Sequence, residues 1–127
     1  MVQKRANVPE DGLGHLRIVF SETAYIGPGR ADLLEAIAQT GSIAAAGKTM
    51  SMSYKRAWGL VQAMNEGFGA PLVDASRGGS GQGGAHLTEY GQAVLDGYRA
   101  MQANTAGAIA TELQVLRTKI LDMSQGK

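Results

Sequence analysis

Cysteine is absent from the 127 residues, which excludes disulfide frameworks and thiolate chemistry. That composition suits a reducing compartment, and a cytoplasmic location is expected. No apolar run approaches the roughly 20 residues of a membrane span, and the opening MVQKRANVPEDG is polar where a signal peptide turns apolar. Neither export nor membrane insertion is expected. Charge of either sign is in no excess: charged residues make up 18% and the formal net charge is +1, so the chain is no polycation and any basic site must be local. His15 and His86 are the only histidines, and no metal-ligand spacing or paired carboxylates accompany them. An enzyme, a metal site or a cofactor is therefore not expected.

What is present fits one small domain. Leu16 to Phe20 (LRIVF) reads as a strand closed by the turn sequence Gly27-Pro28-Gly29. From Arg30, the residues Leu33, Leu34, Ile37 and Ala38 share one helical face, and Gly41 suits a left-handed stop. Ser42 can cap a short helix through Met50, and after Ser51-Met52 a second cap, Ser53, opens a helix with Ala57, Leu60, Val61 and Met64 on its inner side. Two helices crossing steeply through so short a turn need small residues, which Ala44 to Gly47 supply, with Ile43, Met50 and Met52 sealing the corner. Trp58 is read as core.

Charge gives this corner a direction. No Asp or Glu occurs between Glu35 and Glu66, whereas Lys48, Lys55 and Arg56 do. In a helix-turn-helix the second helix enters the major groove N-terminus first, which presents Ser53, Tyr54, Lys55 and Arg56 to phosphates and base edges. Hydroxyls and cations suit phosphate, and arginine can pair bidentately with guanine. Ser42, Lys48 and Ser51 at the corner join them as candidate DNA contacts.

Beyond Pro71, the candidate strands Leu72 to Ala75 and Ala85 to Leu87 flank a loop rich in glycine. Gly79 to Gly84 matches G-x-G-x-x-G, but the last glycine opens no helix and no parallel strand is available, so a dinucleotide site is rejected. The stretch reads as a hairpin wing, with Arg77 at its base and Gln82 in its tip as further candidate DNA contacts. Thr88 can cap the final element, whose apolar residues recur at steps of three or four from Val94 to Met123. One continuous helix here exceeds the needs of one small domain, so Tyr98, Met101, Ile109, Leu113, Leu116 and Ile120 are expected to pair with a second copy. Asn104 and Gly107 leave open a break into two packed helices.

Together, the G-S-I opening at Gly41, M-S-Y-K-R-A-W at Met52, the glycine-rich wing and L-T-E-Y-G at Leu87 resemble the N-terminal winged-helix domain of ModE-type molybdate-responsive regulators. That domain is similar in turn to the LysR-type DNA-binding domain. The likeness runs from Leu16 to about Tyr98. It implies a bacterial, homodimeric transcription regulator with its recognition helices in successive major grooves. Ser51 departs from the glycine many relatives place in the turn, and so must hold an unusual conformation or alter the turn. The chain stops at Lys127, so a stand-alone form without the C-terminal oxyanion-binding modules is expected, and molybdate binding is not.

The expected class is mainly α with a small β wing (α+β), a winged helix-turn-helix with a long C-terminal dimerisation helix. Residues 1–14 are a flexible N-terminus, 15–87 the DNA-binding domain, 88–123 the dimerisation segment and 124–127 a tail. The alternative is a helical interaction protein that pairs with other regulators and does not bind specific DNA directly.

Overall fold

Ile18–Val19 (β1) and Tyr25–Ile26 (β2) form a short antiparallel pair in the computed structural model, which describes residues 8–76 and 84–124. The strand expected over Leu16 to Phe20 is thus only two residues long. The chain turns at once, with the Phe20 amide donating to Ala24 O and the Ser21 hydroxyl accepting from the amides of Thr23 and Ala24. Pro28–Thr40 (α1) follows, with Pro28 at its start, where a missing N–H costs nothing. Gly41 ends it at φ 72°, and its amide donates to Ile37 O. The same residue accepts from the Ala85 amide at 2.9 Å, which ties a later strand to this corner.

Ile43–Thr49 (α2) is capped by the Ser42 hydroxyl, which accepts from Ala45 N, and Tyr54–Gly67 (α3) by the Ser53 hydroxyl, which accepts from Arg56 N. Both serines were legible as caps. Of the four small residues expected at the crossing, only Ala46 and Gly47 are buried; Ala44 is exposed and Ala45 half-buried. A seven-residue helix turns only one face to its neighbour, so successive small residues cannot all reach the contact. A Cβ on Gly47 would stand 3.1 Å from that of Ala57, so the two helices meet almost backbone to backbone. Between them Met52 N donates to Gly47 O, and Ser51 takes φ 56°.

Val73–Ser76 (β3) and Gly84–Leu87 (β4) pair antiparallel, Val73 opposite Leu87 and Ser76 opposite Gly84. Asn65 of α3 fixes the entry to β3: its carbonyl oxygen accepts from Leu72 N at 2.8 Å and Val73 N at 3.2 Å, while its amide donates to Val73 O. Thr88 joins the pair to the last helix, its hydroxyl donating to Pro71 O and accepting from Gly91 N while its own amide donates to Leu72 O.

Glu89–Ser124 (α4) is one helix of 36 residues, about 54 Å long, unbroken at Asn104 or Gly107. Within residues 17–98 the core joins Leu33, Leu34 and Ile37 of α1 to Val61 and Met64 of α3 and Leu95 of α4. Each such side chain contributes about 1.5–3 kcal/mol on burial. Tyr98, expected among the dimerisation residues, belongs to this core and is fully buried. It lies seven residues after Gly91, on the face of α4 that closes the domain, and so is not available at the surface.

A second unit contains the N-terminal segment to Leu16 and the helix from Arg99 onward. Here Arg117 donates to Glu10 O at 2.8 Å and to Pro9 O at 3.0 Å. Gly12 closes a turn onto Pro9 O and rests on Leu113, where a Cβ would come within 2.7 Å of Cδ2.

Ser51 yields a direct stability test. A left-handed backbone costs a non-glycine residue about 1–2 kcal/mol, and the residue is exposed. Ser51→Gly should raise the urea midpoint by an amount worth about 0.5–1 kcal/mol with an unchanged m-value. A lower midpoint would mean that the serine side chain supports the turn.

Candidate nucleic-acid interface

The site begins with the caps. Because the Ser53 hydroxyl takes the Arg56 amide, the amides of Tyr54 and Lys55 are left without intrahelical acceptors at the positive end of α3. No acidic residue stands in this first turn. Ser53, Tyr54, Lys55 and Arg56 are all exposed, and Lys48 projects from the exposed side of α2. The structure therefore gathers cations, hydroxyls and free amides at one helix start, an arrangement that attracts anions.

A groove of about 420 Å³ runs beside this turn, lined by Ser53, Lys55, Arg56, Gly59 and Leu60. The lining follows from helical spacing: Lys55 and Gly59 are four apart, as are Arg56 and Leu60. Tyr54 is 58% exposed, and its ring stacks on Trp58 with centroids 6.5 Å apart and planes 12° from parallel. Trp58 is half-buried and packs against the core, so it serves as the floor beneath Tyr54.

Ser42 is half-buried with its hydroxyl engaged in the α2 cap, and Ser51 is exposed in the turn. His86 lies on β4, exposed and 3.8 Å from Asp74 of β3. Arg77 and Gln82 lie outside the described residues. Sequence reasoning missed Gly59, although a glycine in the second turn of a helix is itself a signal. Nothing stands within 4 Å of where its Cβ would be, so packing does not demand it.

Residues 30–92 match the family of bacterial regulatory helix-turn-helix proteins, lysR family. The chain is 42% identical over 103 residues to the molybdenum-pterin-binding protein MopB of Rhodobacter capsulatus, a match covering 80% of this chain and 38% of that protein. It is 39% identical over 83 residues to the DNA-binding transcriptional dual regulator ModE of Escherichia coli (strain K12), covering 65% of this chain and 32% of that one. The chain thus spans about a third of the length of these relatives. Among solved structures, the CbnR_DBD–DNA complex aligns with a TM-score of 0.54 and 25% identity, over 70% of this chain and 95% of that chain.

Gly59 yields a second stability test. A glycine inside an exposed helix costs about 0.5–1 kcal/mol relative to alanine, so Gly59→Ala should stabilise the fold by that amount in a thermal melt. A fall in stability would show that the bare backbone is needed by the fold itself.

Proposed function

From the match of residues 30–92 to the bacterial regulatory helix-turn-helix proteins of the lysR family, we propose that the chain is one of them and binds operator DNA as a homodimer. The N-terminus of α3 enters the major groove, with Lys55 and Arg56 directed to base edges and phosphates and Ser53 and Tyr54 beside them. Ser42, Lys48 and Ser51 face the flanking backbone. Arg77 and Gln82 of the wing take the adjacent phosphates. The observation that carries this reading is the exposed cationic first turn of α3, set on a corner that has no acid from Glu35 to Glu66. The relative ModE is named a DNA-binding regulator and the CbnR domain was solved with DNA, which supports the same assignment.

Replacing both Lys55 and Arg56 with alanine should weaken operator binding at least about 30-fold and flatten the salt dependence by about two counterions. The melting temperature should barely move, because exposed cations add little to folding. Titration of a labelled operator at several salt concentrations provides the measurement. Binding that ignores both salt and the double substitution would favour the helical interaction protein instead.

The dimer is proposed on the far end of α4. Leu116 is 56% exposed and Ile120 64%, both on the face that carries Leu113 and Ile109. Leu116→Glu would place an unpaired carboxylate at the pairing surface at a cost of several kcal/mol. Light scattering should then report monomers at micromolar concentration, with weaker operator binding as the second half-site is lost. A wild-type chain that is monomeric at hundred-micromolar concentration would remove the dimer from this reading.

A further inference from the structure

The apolar face of α4 is not uniformly free. Along it exposure rises toward the C-terminus: Leu113 is half-buried, while Leu116, Ile120 and Met123 reach 56%, 64% and 76%. The change coincides with the N-terminal segment. Arg117 holds the carbonyls of Pro9 and Glu10, and Gly12 sits on Leu113, so the segment runs antiparallel to α4. Leu13 and Leu16 are half-buried, as are Thr105 and Ile109 on the same face of α4 as Leu113.

Two features of the segment are specific to this placement. Gly12 has φ 80°, which favours glycine, and the Leu113 side chain lies where a Cβ would stand. The Asp11 carboxylate accepts from the Leu13 amide, which closes the turn at Gly12 where it lies against Leu113.

The free remainder of the face is short. The distal end exposes five large apolar residues, Val115, Leu116, Ile120, Leu121 and Met123, whereas a standard interface uses about 20 residues of all kinds a side. A second copy confined to that end is weakly held. A stable pair needs more of the face, and there the N-terminal segment already engages Leu113 and Arg117.

We propose that residues 9–16 form a strap that competes in cis with a second copy of the chain for the middle of α4, and so sets the strength of self-association. The proposal rests on the homodimer reading and adds its control. With the strap seated, copies meet only at the distal end. With it released, they pair from Ile109 to Met123.

Two substitutions in the full chain release the strap by unrelated routes. Gly12→Val introduces a Cβ against Leu113 at a left-handed position, and Arg117→Ala removes both donors to the carbonyls of Pro9 and Glu10. Each should tighten the dimer constant in sedimentation equilibrium at least tenfold while the helical circular-dichroism signal holds. Because the chain has no cysteine, Ile109→Cys supplies a single reporter thiol. It should form an inter-chain disulfide under mild oxidation in the released variants and resist in the intact strap background. Dimer constants that stay the same or weaken overturn the proposal, as does equal cross-linking with the strap intact. Loss of helical signal on release also overturns it, by making the strap a brace for α4. A chain that is monomeric in every form defeats the homodimer reading together with the strap's role, whereas a dimer indifferent to release defeats the strap alone.

Discussion

The contact between Gly47 and Ala57 governs the placement of α3. With 3.1 Å between the alanine Cβ and the position a second Cβ would take, a side chain at Gly47 would require the helices to give by a few tenths of an ångström. The close approach brings Gly47 O within reach of the Met52 amide, so the turn is held by the same residue that permits the crossing. From that crossing follows which side of α3 is buried, and Ala57, Val61 and Met64 turn inward together. The cations are then exposed by elimination, because they occupy the arc that remains.

Much of this was legible in the sequence for a physical reason. Caps and stops are local: Ser42, Ser53, Thr88 and Gly41 act on amides and carbonyls within a few residues, and all four sit where their chemistry places them. Ser51 is similar: its departure from glycine left an unusual backbone or an altered turn open, and the backbone is the left-handed one. The cationic turn was legible because acids are missing over a long stretch, a pattern no single contact is needed to see.

What could not be read depends on partners distant in the chain. Asn65 gave no sign that its side chain would serve the entry to β3, because the bonds run to residues seven and eight positions away in a separate element. The apolar periodicity of α4 identified a face without identifying what covers it. Tyr98 and Leu116 fit the same repeat, yet one is fully buried in the domain and the other exposed. Periodicity fixes direction around a helix axis, not the neighbour met in that direction. Arg117, which no pattern in the sequence singles out, clasps two backbone carbonyls in the structure.

Thr88 carries a mechanical consequence. Its hydroxyl bonds to Pro71 O and Gly91 N, its amide bonds to Leu72 O, and Gly91 lies so close to Leu72 that a Cβ would collide with that carbonyl. A joint with three bonds and no slack does not pivot. The first turn of α4 and the base of the β3–β4 pair are therefore fixed to each other through Leu72 and Thr88.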